Sequence, residues 1–273
     1  MAQLAGPLVL VGCGKMGGAL LHGWRAHGLA ARDVFVVEPD ASIRERVRVR
    51  HGVHALAGAE ALPIELEPRA LVFAIKPQAM AAVLPAYRGL AERGGVVLSI
   101  AAGTAVARFA AAFGERTPIV RAMPNTPAAI GQGVTALFAN PHVSAAQREL
   151  CAALMAAVGV VHWIDDEELM HAITAMSGGG PAYVFLLIET LAQAGVASGL
   201  PEDLAAALAR ATVAGSGALA ASSEEPVEAL RQNVTSPGGT TQAALAVLMA
   251  DDGIRPLFER AIAAGTQRSR ELA

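Results

Sequence analysis

Lysine is nearly absent from this chain of 273 residues: Lys15 and Lys76 stand against 19 arginines. Aromatic residues make up only 4% and charged residues 16%, with a net charge of −3. No basic excess is available to displace counterions, which excludes a polyanion-binding surface as the main purpose of the chain. Cysteine is limited to Cys13 and Cys151, in no CxxC or His-rich setting. That pattern fits a reducing cytoplasm, no structural disulfide and no metal site. Uninterrupted apolar runs of about 20 residues, the length a spanning helix needs, are lacking too. The charge-free stretches 122–147 and 172–188 are broken by Pro124, Pro127 and Pro141, and by Gly178-Gly179-Gly180-Pro181. The N-terminus has no basic segment of the secretory type, so neither a signal peptide nor a membrane is expected.

What is abundant is small and apolar. Hydrophobic residues reach 53%, the mean hydropathy is +0.44, and 60 residues are alanine. A disordered, collagenous or disulfide-stapled chain is ruled out. The length accommodates two domains.

The two halves differ in rhythm. Up to about residue 164, short β-branched runs (Leu8–Val11, Val34–Val37, Ala70–Ile75, Val96–Ile100, Pro118–Ala122) alternate with helical patterns, with Val134–Phe138 and Val160–Ile164 as further strands. Alternation of this kind indicates an α/β fold with a parallel sheet covered on both faces. Beyond Ile164 only helices are expected: 167–176, 181–198, 202–221, 226–233, 238–250 and 254–271. The division is therefore 1–164, an α/β domain, and 165–273, an all-helical one. The stretch from Tyr183 to Ala197 is apolar nearly all round, with Glu189 its only charge, and a homo-oligomer is the natural place to bury it.

Gly12-Cys13-Gly14-Lys15-Met16-Gly17 lies after a strand and before a helix. Glycines there permit a tight turn and close approach of backbone amides to a pyrophosphate, which the helix N-terminus also favours. A dinucleotide is the implied ligand. Glu38, at the end of the second strand, suits the ribose hydroxyls of NAD and repels the extra phosphate of NADP. Arg44, Arg46 and Arg48 follow and could accept that phosphate, although a solvated helix face explains them as well. Lys76, in Ala74-Ile75-Lys76-Pro77-Gln78, is a compact positive charge in a loop after a strand. Later, Arg121–Pro127 has two prolines that present Asn125, and Ser177–Tyr183 joins two helices. In Ser236-Pro237-Gly238-Gly239-Thr240-Thr241, Ser236 reads as a cap and the glycine amides as a bare cradle for a carboxylate.

Taken together, GCGKMGG (12–18), AIKPQ (74–78), SIAAG (99–103), RAMPNTPA (121–128), SGGGPAYVF (177–185) and VTSPGGTTQAAL (234–245) resemble the pyrroline-5-carboxylate reductase family over essentially the whole chain. The resemblance implies a Rossmann-type domain followed by a helical dimerisation and substrate-binding domain. It implies assembly as homodimers, and often as decamers of dimers. The implied reaction is reduction of the C=N bond of 1-pyrroline-5-carboxylate to L-proline by NADPH or NADH, in the cytoplasm. By position, the cofactor contacts fall on Val11, Gly12, Cys13, Gly14, Lys15, Met16, Ile75, Lys76 and Ala102, with Glu38 beside them. The substrate contacts fall on Glu167, Asn233, Thr240 and Thr241; the bare amide of Gly239 is read beside them as part of the carboxylate cradle, and Thr241 is the candidate catalytic group at the ring nitrogen. Glu38 departs from the small polar residue common in NADPH-using members, and Gly179 from the serine usual in SGSGPAY. Hydroxyacid dehydrogenases share the layout but use a lysine in the helical half, where this chain has none. A non-enzymatic dinucleotide-binding protein would leave the SPGGTT segment unexplained.

Overall fold

The computed structural model describes residues 6–273. They divide into two compact units: a sheet unit running to Gly178 and including Gly265–Ala273, and a helical unit, Gly179–Ala264.

The sheet unit has eight strands in the order β3-β2-β1-β4-β5-β6-β7-β8. They are β1 (Leu8–Val11), β2 (Val34–Val37), β3 (His54–Leu56), β4 (Ala70–Phe73), β5 (Val96–Ser99), β6 (Ile119–Met123), β7 (Gly133–Ala139) and β8 (Gly159–Ile164). The first six run parallel; β7 turns antiparallel to β6, and β8 follows β7 in parallel. The reversal is held by Asn140, whose amide Oδ1 accepts from the Ile119 N–H (3.1 Å) while Nδ2 donates to the Thr117 carbonyl (2.8 Å). The parallel sheet read from the sequence is thus present, with β7 and β8 added to it in the opposite direction. The strand β3 was not foreseen either: it is three residues long and pairs on one side only.

Helices α1 (Lys15–Ala26), α2 (Ala41–His51), α3 (Met80–Val83), α4 (Arg88–Ala91), α5 (Val106–Phe113) and α6 (Ala145–Ala156) complete the α/β layers. Along β1, Leu8 and Leu10 enter one core with Leu20, Trp24, Leu154 and Met155, while Val9 and Val11 enter the other with Phe73, Phe109 and Phe113. Each such fully buried side chain contributes about 1.5–3 kcal/mol. The Trp24 indole donates to the Leu154 carbonyl (2.8 Å), so α1 and α6 are pinned as well as packed. α6 begins at a reciprocal cap in which Ser144 and Gln147 exchange side-chain and backbone bonds.

Past β8 the chain enters α7 (Leu169–Ile173) and a π-helical turn, Thr174–Gly178, still within the sheet unit. Met170 and His171 are buried there, and His171 Nδ1 lies 3.0 Å from Ser269 Oγ on the last helix. The last strand ends at Ile164, but these contacts carry the compact sheet unit on to Gly178.

The helical unit contains α8 (Gly180–Ala197), α9 (Glu202–Ser222), α10 (Val227–Asn233), α11 (Thr240–Leu248) and most of α12 (Ile254–Glu271). Gly179 is a one-residue bend that separates the π turn from α8, as the sequence reading supposed, and Pro181 occupies a first-turn position of α8 where no amide partner is needed; the interruption is only that one residue long. Consequently Leu169–Ala197 (mean hydropathy 1.3) and Glu202–Ser222 (1.4) are long and apolar enough to cross a membrane by length and composition. In this unit only Ala205 and Ala209 are buried hydrophobic residues among those described, whereas Phe185, Leu186, Leu208 and Leu257 are exposed.

Candidate active site

The ends of the central parallel strands build the first part of the site. The Gly12 N–H donates to the Val37 carbonyl (2.8 Å), and the Ala74 N–H to the Val11 carbonyl (2.8 Å). The Ile100 N–H donates to the Phe73 carbonyl (3.1 Å). These bonds gather Val11–Met16, Glu38, Ile75, Lys76 and the loop holding Ala102 along one edge of the sheet. All ten residues expected to meet a dinucleotide are therefore on a common rim, with Lys15, Lys76 and Ala102 exposed.

Gly12 has φ +88°, and a Cβ on it would lie 2.6 Å from Ile75 Cγ2 and 2.9 Å from the Ala74 carbonyl oxygen. Only glycine fits both the conformation and the space. Gly14, the cap of α1, has no heavy atom within 4 Å of its would-be Cβ. That open side of the turn is where a pyrophosphate can approach the amides and the helix end.

Glu38 is 7% exposed. One carboxylate oxygen accepts from the Cys13 N–H (2.8 Å) and the other from the Asp40 N–H (3.0 Å). Its side chain is fixed against the glycine turn, where further lone pairs can take ribose hydroxyls. Burial, and after it the Glu38 charge, push the Cys13 thiol up to about 11, so this cysteine is neutral and unreactive near neutral pH.

Glu167 has acquired partners that its sequence gave no hint of. Oε1 accepts from Arg121 Nη1 (2.9 Å) and from the Val106 N–H (2.9 Å), the first amide of α5. Arg121 is 4% exposed at its side chain and Glu167 25%. One oxygen thus ties the end of β6, the start of α5 and the approach to α7, next to the loop of Ala102. Asn125, read from the sequence as a polar group on a rigid proline corner, accepts from the Val134 N–H through Oδ1 (3.0 Å) and fixes the entry to β7.

Asn233, Gly239, Thr240 and Thr241 belong to the helical unit, Glu167 to the sheet unit. Ser236 does not cap α11: the cap is Gly239, without a side-chain bond. The Gly239 N–H is spent on the Ser236 carbonyl (3.0 Å), and the Gly238 N–H on Gln242 Oε1 (2.6 Å). The first helical bond runs from the Ala243 N–H to the Gly239 carbonyl. The amides above it, of Thr240, Thr241 and Gln242, are the unspent donors, one residue further on than the sequence suggested. Asn233 donates through Nδ2 to Glu225 Oε2 (2.9 Å), adding a carboxylate just ahead of this turn. Glu225, Gln242 and Arg121 were missed because each acts through a fold-dependent partner. No cluster of metal-binding side chains occurs among the described residues.

The pyrroline-5-carboxylate reductase dimerisation model matches residues 167–272, and a model described as NADP oxidoreductase, coenzyme F420-dependent, matches 7–103. The chain is 41% identical to the pyrroline-5-carboxylate reductase of Pseudomonas aeruginosa, across 97% of this chain and 96% of that one. It is 39% identical to the enzyme of Synechocystis, across 97% of both. Among solved structures, a Coxiella burnetii pyrroline-5-carboxylate reductase superposes with a TM-score of 0.92 at 34% identity, covering 98% of each chain. A Plasmodium falciparum pyrroline carboxylate reductase with NADP bound gives 0.81 at 29% identity, over 97% of each. With a glycine turn at the rim of a parallel sheet, an open helix start at Thr240 and full-length similarity of this degree, the chain belongs to the pyrroline-5-carboxylate reductase family: it is an NAD(P)H-dependent oxidoreductase that reduces the cyclic imine to proline.

Proposed function

We propose the following division of labour for that reduction. Residues 1–164 bind the nicotinamide dinucleotide, with its pyrophosphate at Gly12–Met16, its adenosine ribose at Glu38 and its nicotinamide side along Ile75, Lys76 and Ala102. Residues 165–273 bind the substrate and dimerise. The substrate carboxylate sits on the amides at the start of α11, with Gly239 shaping the turn, Thr240 and Thr241 donating, and Asn233 alongside. The chain is net negative, so a local helix start must supply the attraction that the overall charge does not. Thr241 Oγ1 meets the ring nitrogen, where a hydroxyl can accept from the iminium and donate to the amine. Glu167, its Oε1 held by Arg121 and Val106, has Oε2 for the substrate side. Hydride delivery requires the donor carbon about 3–3.5 Å from the imine carbon, and positioning of that kind supplies most of the rate.

The observation that carries this reading is the set of unspent amides at Thr240–Gln242, in a turn whose other donors are already paired. The assembly is a homodimer formed through the exposed apolar faces of α8 and α9, and dimers associate further into decamers. The location is the cytoplasm, and α8 and α9 pack against a second copy rather than lipid. The dimerisation model over 167–272 supports that assignment of their apolar surface. The deciding experiment is oxidation of NADH and of NADPH by the purified protein with pyrroline-5-carboxylate. Turnover with at least one is expected; no oxidation of either refutes the reading.

A further inference from the structure

The loop between β5 and α5 exposes Ala102, and side chains fix both of its ends. The Ala101 N–H donates to Ser99 Oγ (3.3 Å), and the Val106 N–H to Glu167 Oε1 (2.9 Å). The middle of the loop meets the far end of the chain. Gly103 has φ +67°, and a Cβ on it would lie 3.4 Å from the Leu272 carbonyl oxygen and 3.7 Å from Leu272 Cβ. A left-handed glycine without a side chain leaves that space to the main chain of Leu272.

Chain ends fray unless something ties them down. Here the tie is polar. Among the residues described in α12, only Ser269 is buried, and its Oγ lies 3.0 Å from Nδ1 of His171, itself buried on α7. A hydroxyl can donate to an imidazole nitrogen or accept from it, and neither group is left unpaired in the interior. His171 stands four residues beyond Glu167, and Leu272 three beyond Ser269. The contacts close a circuit: Glu167 holds the end of the loop, His171 holds Ser269, and Leu272 returns to Gly103. Every member belongs to the sheet unit. Leu272 is 58% exposed, so its contact shields little apolar surface and acts on the placement of the loop more than on stability.

We propose that the last turn of α12 positions the nicotinamide-side loop, with Ser269 anchored on His171 and the Leu272 main chain bearing on Gly103. This rests on the cofactor placement proposed above, in which Ala102 lies beside the nicotinamide. Ser269 and Leu272 act through Gly103 on Ala102 and are positioning residues, not catalytic ones. Their influence falls on the nicotinamide half of the cofactor and spares the adenosine half, which is seated at Gly12–Met16 and Glu38.

The test uses Ser269→Ala and a chain ending at Glu271, each otherwise complete. Leu272→Ala, which keeps the contacting carbonyl and Cβ, is the control. Calorimetry gives the affinities for NADH and for ADP-ribose, which lacks the nicotinamide. NADH oxidation with pyrroline-5-carboxylate gives kcat, and mass spectrometry gives deuterium uptake over 99–109 in the ligand-free protein. In both variants NADH affinity should fall about fivefold or more and kcat about tenfold, the scale of a small misplacement of the hydride donor. ADP-ribose should stay within about twofold, uptake over 99–109 should rise at least about threefold, and Leu272→Ala should match the parent. Faster uptake in both variants, with no NADH bound by the parent itself, would overturn the cofactor placement and uphold the hold of the chain end on the loop. Unaltered uptake, or NADH and ADP-ribose weakening together, overturns the proposal.

Discussion

Replacing Gly12 by alanine tests the rim of the sheet where it is most crowded. The new methyl would sit 2.6 Å from Ile75 Cγ2 and 2.9 Å from the Ala74 carbonyl oxygen, at a φ of +88°. Positive φ costs a residue with a Cβ about 1–2 kcal/mol, and overpacking about 1–3 kcal/mol more. The sum, about 2–5 kcal/mol and centred near 3.5, corresponds to a fall in Tm of about 7–14 °C for a unit of this size. The turn can relieve the clash only by moving away from Ile75, which displaces the amides of Cys13 and Gly14. An error of about 1 Å there costs up to about a hundredfold in turnover. Gly14→Ala is the contrasting variant. Nothing lies within 4 Å of its added methyl, so stability should change by less than about 1 kcal/mol. Its methyl enters the space of the pyrophosphate, so NAD(P)H affinity should fall at least tenfold. Calorimetric unfolding and fluorescence titration with NADH separate the two effects. A Gly12→Ala protein melting within 1 °C of the parent (about 0.3 kcal/mol on the same scale), or a Gly14→Ala protein with unaltered affinity, would refute the reasoning.

Four further outcomes are expected. Thr241→Ala should lower kcat by about 10²-fold, the scale of one transition-state hydrogen bond, with Tm unchanged; near-normal turnover removes Thr241 from the chemistry. Arg121→Ala leaves the Glu167 carboxylate partly buried without its cation, and should cost about 2–3 kcal/mol, below the fully buried range because Glu167 is 25% exposed; a denaturant titration showing no loss would contradict this. Glu38→Ser should raise KM for NADH more than for NADPH, since it deletes the acceptor at the ribose rim; a rise confined to NADPH would reverse the assignment. Finally, burial holds the Cys151 thiol up at about 12 and the Cys13 thiol at about 11, against an ordinary value near 9. The native state then keeps protons the unfolded chain sheds. Stability should be intact below pH 9 and decline between pH 9 and about 12, by on the order of 1 kcal/mol per pH unit per cysteine; a flat unfolding free energy across that window would count against both shifts.

The strands β1, β2, β4 and β5 were legible to within two residues because a run of β-branched side chains buried on both faces has no other stable use. Glycine turns were legible for a similar reason: at Gly12 the side chain is forbidden by a neighbour that always follows in such a fold. Failures share a cause. Asn125 reads as a presented amide, but whether it faces a ligand or the Val134 N–H depends on the reversed strand β7, which begins at Gly133. Ser236 has the composition of a cap, yet Gln242 reaches back to Gly238 and moves the helix start to Thr240. Arg46 and Arg44 are indistinguishable in sequence; only the bonds from Arg44 to the carbonyls of Glu38 and Pro39 tell them apart. Residues whose role is set by local backbone geometry were readable, and residues whose role is set by a distant partner were not.

The near absence of buried side chains in the helical unit has a consequence for how the enzyme persists. With Ala205 and Ala209 as its interior, that unit has little cohesion of its own to draw on. On the dimer proposed above, its order comes from the mating of α8 and α9 with their counterparts, and dilution then acts on it as a denaturant would. Melting temperature should climb with protein concentration, and newly made chains should depend on meeting one another before their carboxy-terminal halves are secure.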